Sequence, residues 1–165
     1  MKMAEESHIL VALVEDRPGV MQRVSGLFRK RNFNIDSISV GHSEKKGISR
    51  MTLTVTGDKQ VLEQVMKQLN KLIEVLKVSK LDWDDSVTRE LALVKITTRD
   101  EESRAEIVQY VNIFRGRIVD VSKASLIVEI TGDSAKIDAF IKLVEPFGIK
   151  ELAKTGTTAM VRGAK

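Results

Sequence analysis

The sequence predicts an α+β chain built from two ferredoxin-like units in tandem, each running strand–helix–strand–strand–helix–strand (βαββαβ). Three observations carry this. The tripeptide Thr-Gly-Asp occurs at 56–58 and again at 131–133, 75 residues apart. Each copy follows a stretch with the period of a half-buried strand and precedes one with helical spacing. The apolar patterns upstream of the two copies also come in the same order. A chain of 165 residues is long enough for two such compact units.

In the first half, residues 9–14 form an uninterrupted apolar run, Ile-Leu-Val-Ala-Leu-Val, of the length of a strand covered on both sides. Val20, Met21, Val24, Leu27 and Phe28 then fall on one helical stripe. Residues 34–40 are extended, and Gly41 and Gly47 bracket a long hairpin. Met51, Leu53 and Val55 alternate with Thr52 and Thr54, and a second stripe runs through Val61, Leu62, Val65, Met66, Leu69 and Leu72. The unit closes on a strand over 73–80. In the second half the equivalents are the run at 91–96, the stripe Ile107, Val108, Val111 and Phe114, and the strand at 118–121. A tight turn at 122–125 leads to Leu126, Val128 and Ile130 in alternation, then to the stripe Ile137, Phe140, Ile141 and Val144. The last strand falls somewhere in 149–161, and the tail from 156 reads equally as that strand or as a docking segment. Asp58 and Asp133 are placed to cap the helices that follow them. The segment Asp-Trp-Asp-Asp-Ser at 82–86 breaks both periodicities, so the expected domains are 1–82 and 83–165.

Composition removes several classes of function. The chain has no cysteine, hence no disulfide, thiolate metal site or cysteine nucleophile. No apolar run reaches membrane-spanning length, and Met-Lys-Met-Ala-Glu-Glu-Ser at the start has no apolar centre; no membrane association and a cytoplasmic location are expected. The 27 Lys+Arg and 23 Asp+Glu leave a formal charge of +4 with the two signs interleaved, which reads as a solvated mixed surface. An RNA-recognition module has the same order of elements, but it stacks bases on strand aromatics. The strands here have none, so no nucleic-acid partner is expected. His8 and His42 are the only histidines, with no second ligand at metal spacing, and the acidic group Asp82, Asp84 and Asp85 reads as solvated; no metal site is expected. Nucleophile-elbow, phosphate-loop and dinucleotide motifs are also lacking, so no catalytic residue is assigned.

One segment invites a ligand. Glu15-Asp16-Arg17-Pro18-Gly19-Val20-Met21 joins the first strand to the first helix. Pro18 suits a first helical turn, and Gly19 permits close backbone approach. The free N–H groups at Gly19, Val20 and Met21 would meet a small carboxylate at the positive end of the helix dipole, and Asp16 would accept from an ammonium group. Those are the two ends of a free α-amino acid. A plain turn and cap would use the same residues.

This segment, with Asn34-Ile35-Asp36-Ser37-Ile38-Ser39-Val40 after the helix, resembles an ACT domain, the amino-acid-sensing module of many biosynthetic enzymes. Ser49-Arg50-Met51-Thr52, Val61-Leu62-Glu63-Gln64, Arg89-Glu90-Leu91 and Phe114-Arg115-Gly116-Arg117-Ile118-Val119-Asp120-Val121 extend the likeness over nearly the whole chain. Together they resemble the small regulatory subunits of acetohydroxyacid (acetolactate) synthase. The resemblance implies that the first domain is an ACT domain, that the chain is no enzyme, and that it activates a large catalytic subunit and confers feedback inhibition, usually by valine. It implies no cofactor on this chain; the catalytic partner would carry thiamine diphosphate, magnesium and FAD. It further implies a homodimer through the ACT domains, with the effector between the first loop of one copy and the start of the second strand of the other. Carried onto this sequence, the effector-binding residues are Asp16, Gly19, Val20, Met21, Asn34 and Ile35. Asp16 stands where Asn is frequent, Met21 where Leu is usual, and Asn32 where Gly is usual, which leaves valine, leucine and isoleucine open as effector. An ACT sensor serving a different enzyme or a transcription factor is the alternative.

Overall fold

The computed structural model describes residues 6–31 and 33–163, so Asn32 and residues 1–5 lie outside the described residues. In the first unit, β1 (Glu6–Glu15) leads through α1 (Val20–Arg31) to β2 (Ser37–His42) and β3 (Ile48–Gly57), then through α2 (Lys59–Leu69) to β4 (Val75–Leu81). The sheet order is β2-β3-β1-β4, antiparallel throughout. Its register puts Ala12 opposite Met51 and Met51 opposite Val40, so even-numbered residues of β1 and odd-numbered residues of β3 share a face. That face, with Leu10, Ala12, Val14, Met51, Leu53 and Val55, is buried against Val20, Val24 and Phe28 of α1 and Leu62, Val65 and Leu69 of α2. Each large side chain so buried contributes about 1.5–3 kcal/mol relative to exposure. Met21, expected on the α1 stripe, is instead 42% exposed.

The second unit repeats the plan. It contains β5 (Ser86–Thr97), α3 (Glu101–Ile113), β6 (Arg117–Val121), β7 (Ser125–Gly132), α4 (Ser134–Val144), a single 3-10 turn (Glu145–Phe147) and β8 (Ile149–Lys154), in sheet order β6-β7-β5-β8. Ala92, Val94, Ile96, Leu126, Val128 and Ile130 face Ile107, Val111, Ile137, Phe140 and Val144. The repeated Thr-Gly-Asp does the same work twice: Asp58 accepts from the Val61 N–H and Asp133 from the Lys136 N–H, each at 2.8 Å. Both are extended N-caps that satisfy a first-turn amide.

The boundaries differ from 1–82 and 83–165. The compact units are Met1–Thr88 with Gly156–Lys165, and Arg89–Thr155. Residues 82–85 make a turn inside the first unit, where Trp83 Nε1 donates to the Ser7 carbonyl at 2.8 Å. The tail, open in the sequence between a strand and a docking segment, forms a strand. Its strand β9 (Thr158–Val161) pairs with β5, and the Arg162 N–H donates to the Asp85 carbonyl at 2.8 Å. Ala159 is buried with Ile9, Val11 and Leu81 on the helix-free face of the first sheet, and Val161 packs beside them. Ser39 Oγ and Thr158 Oγ1 share a hydrogen bond, the Thr157 N–H donates to Ser37 Oγ, and Arg50 Nη2 donates to the Ala159 carbonyl at 2.9 Å. The tail is a strap across the first unit because Ile9, Val11 and Leu81 are apolar residues on a face no helix covers. Among the described residues no helix is long and apolar enough to cross a membrane.

Candidate functional site

The loop between β1 and α1 is held at both sides before it turns. The Glu15 N–H donates to the Glu74 carbonyl and the Asp16 N–H to the Gly47 carbonyl, both at 2.9 Å. Gly19 then adopts φ +89°, a conformation that costs a side-chain-bearing residue about 1–2 kcal/mol. The helix starts at Val20, so Pro18 precedes it by two residues rather than opening it, and the Arg23 N–H closes onto the Gly19 carbonyl at 3.1 Å. The amides of Val20, Met21 and Gln22 are left at the positive end of α1 with no acidic residue in the first turn. Among the described residues no side chain caps them.

Val20 and Met21 border a cavity of about 190 Å³. Val14, Met21, Val40 and Met51 give it apolar walls; Glu15, Asp16, Arg17 and Ser49 give it polar ones. Asp16 Oδ2 lies 3.1 Å from His42 Nδ1 at the end of β2. Beside the loop, Arg17 Nη2 and Arg23 Nη1 both reach Glu74 Oε1, at 3.3 and 3.0 Å, and Arg17 Nε also pairs with Glu15. The arrangement offers amides to an anion, a carboxylate to a cation, and an apolar wall between them.

Of the residues expected from the sequence, Asp16, Gly19, Val20 and Met21 line this one cavity. The Val20 side chain also belongs to the first core. Asn34 and Ile35 do not line it. Asn34 is exposed and its Nδ2 donates to Asp36 Oδ1 at 3.1 Å, while Ile35 is half-buried against the first core. Wall residues that sequence reasoning did not assign to the site include Val14, Val40, Ser49 and Met51. Met51 carried the alternation of a core strand, and nothing in that pattern marks it as a cavity wall.

The equivalent helix start of the second unit is capped. Asp100 accepts from the Ser103 N–H at 2.8 Å, and Ser103 Oγ accepts from the Asp100 N–H at 3.2 Å, a reciprocal cap. The hydrogen bonds from Ser103 hold the Asp100 carboxyl below its usual pKa. Glu101 and Glu102 place acidic side chains in that first turn. Among the described residues no group of three or more His, Asp or Glu could hold a metal ion.

The first unit is thus a βαββαβ unit whose first helix begins uncapped behind a positive-φ glycine. The family model described as "AHAS small subunit-like ACT domain" matches residues 10–77, and "Small subunit of acetolactate synthase" matches residues 89–163. The chain is 59% identical over 165 residues to a Methanothermobacter thermautotrophicus protein named "Probable acetolactate synthase small subunit", covering 100% of this chain and 98% of that one. It is 47% identical to the Mycobacterium bovis acetolactate synthase small subunit, covering 99% and 96% of the two chains. The crystal structure of the acetolactate synthase small subunit from Thermotoga maritima superposes with a TM-score of 0.91 at 46% identity, over 97% of this chain and 99% of that one. The chain belongs to the small, regulatory subunits of acetolactate synthase.

Proposed function

We propose that this chain binds a branched-chain α-amino acid at the α1 N-terminus and passes its presence to a large catalytic subunit that makes acetolactate. The observation that carries this is the uncapped amide pair of Val20 and Met21 at a cavity with apolar walls, while the equivalent helix of the second unit is capped. The amides receive the carboxylate, Asp16 the ammonium group, and Met21, Val40 and Met51 an aliphatic side chain. Asn34 and Ile35 lie outside this cavity, and in a site completed by a second copy through paired ACT domains that copy would supply them. The edge strands β2 and β4 give such a dimer its means of pairing. No residue of this chain takes part in the chemistry; thiamine diphosphate, magnesium and FAD belong to the catalytic partner, in the cytoplasm. Valine is the leading effector, with leucine and isoleucine as competitors for the same cavity.

The test is reconstitution. The purified chain alone turns over no pyruvate; mixed with its large subunit it raises acetolactate formation and makes it sensitive to a branched-chain amino acid. An unchanged rate and an unchanged amino-acid response after mixing would sink the assignment. Sedimentation of the isolated chain at micromolar concentration reports a dimer or larger; a monomer with and without effector overturns the paired site.

A further inference from the structure

Glu74 lies in the connection between α2 and β4, outside the cavity, with its side chain only 4% exposed. A carboxylate so far removed from water is costly unless its charges and hydrogen bonds are matched. Here the matching is lopsided. Both Arg17 and Arg23 converge on Oε1, whereas Oε2 is buried with no hydrogen-bond partner. The two arginines are themselves more than half exposed and would be well hydrated without it. Stability alone therefore gives little reason for a carboxylate here, since an apolar residue of similar volume would avoid the orphaned oxygen.

Its partners supply a reason. Arg17 belongs to the loop that carries Asp16 and Gly19, and Arg23 to the first turns of the helix whose amides face the cavity. The Glu74 carbonyl also takes the Glu15 N–H where β1 ends. One residue thus grips the strand end, the loop and the helix. Glu15 clamps Arg17 from its other side, so the backbone between 15 and 18 has little freedom. We infer that Glu74 is a positioning residue that sets the loop for its ligand, an inference that rests on the effector site proposed above. Positioning and charge predict opposite outcomes when Glu74 is neutralised. Losing the carboxylate leaves Arg17 and Arg23 more positive and favours an incoming carboxylate, whereas losing the grip disorders the amides and Asp16 and weakens binding.

The experiment uses the full-length chain with Glu74→Gln and Glu74→Leu. Calorimetry with valine, leucine and isoleucine is expected to show affinity weakened by roughly tenfold or more in both variants, the scale of one lost charge-assisted contact. Thermal unfolding checks the fold, and Glu74→Leu is expected to keep the wild-type Tm or exceed it. Exchange of the hydrogen-bonded amides of Glu15 and Asp16, read without effector, is expected to speed up in both. Wild-type or tighter affinity in Glu74→Gln, or unchanged exchange at these two amides, overturns the inference and leaves the effector site standing. Absence of binding by the wild-type chain overturns both. Arg17→Gln combined with Glu74→Gln is expected to bind no worse than Glu74→Gln alone; additive losses would show that Glu74 does not act through Arg17.

Discussion

A Cβ built on Gly156 would lie 2.4 Å from the carbonyl oxygen of Ile38 and 2.9 Å from its nitrogen. Both are backbone atoms of β2, so neither side can yield cheaply. Gly156→Ala is expected to lift the strap at its first residue and destabilise the chain by about 1–3 kcal/mol, the usual cost of overpacking. Gly26, inside α1, has nothing within 4 Å of a built Cβ. Gly26→Ala is expected to stabilise by about 0.5–1 kcal/mol through helix propensity. Urea unfolding of both variants tests the opposite signs, and two shifts of the same sign would contradict the geometry.

The cavity sets a size limit on its ligand. Val40 is exposed by 44% on an edge strand and lines the cavity, so Val40→Leu leaves the core alone while filling the site by one methylene. It is expected to cost leucine more affinity than valine, by about 1–3 kcal/mol of discrimination. Calorimetry with the two amino acids gives the ratio, and an unchanged ratio places the side chain elsewhere.

Asn34→Ala is expected to weaken effector binding by about 1–3 kcal/mol, the range for one polar partner removed from a buried contact. The same calorimetry decides it, and wild-type affinity would exclude Asn34 from a site shared between two copies. Gly19 is a poorer choice for such a test. Its φ of +89° means that Gly19→Asp strains the backbone as well as repelling a carboxylate, and the two effects cannot be separated.

The fold was legible wherever the sequence repeats a local device. Thr-Gly-Asp marks a strand end, a turn and a helix cap within three residues, so both copies could be placed without tertiary knowledge. The tail was not legible because Ala159 and Val161 show a strand's alternation without any sign of which sheet needs them; the need arises from Ile9, Val11 and Leu81, far away in sequence. The same limit applies at the loop. Asp16, Gly19, Val20 and Met21 are neighbours in sequence and were found together, whereas Val40, Ser49 and Met51 join them only through the register of β2, β3 and β1. Met21 lay on an apolar stripe yet faces outward, since the helix buries Val20, Val24 and Phe28 at a spacing of four.

The two Thr-Gly-Asp caps offer a paired test. Asp58→Ala and Asp133→Ala each remove one satisfied first-turn amide and are expected to cost about 0.5–2 kcal/mol. Asn at either position should restore most of the loss, because it also accepts from that amide. Chemical denaturation of the four variants measures both effects, and a harmless Asp133→Ala would mean that α4 holds without its cap.

Alkaline pH should act on the second unit through Lys154. Burial alone would lower its pKa, but hydrogen bonds to Asp138 and Glu90 outweigh that and raise it above the ordinary lysine value. The ammonium lies 2.9 Å from Asp138 Oδ1 and 3.0 Å from Glu90 Oε2. A pKa raised in the folded state means stabilisation that is fully present below the unfolded value of about 10.4 and is lost as pH climbs through the folded one. Lys154→Met is therefore expected to differ most from the wild type at neutral pH and to converge with it as pH climbs through the raised folded value. Denaturation midpoints across that range test the sign; a gap that widens with pH would reverse it.

The strap also fixes an order of events during synthesis. Ile9, Val11 and Leu81 emerge from the ribosome long before Ala159 and Val161, which cover them. The first unit can pair its strands early, yet one apolar face stays wet until the second unit and residues 158–161 have been translated. During that interval the nascent chain presents a sticky sheet surface suited to chaperones or to premature self-association. Any truncation that stops before residue 158 would make that transient state permanent.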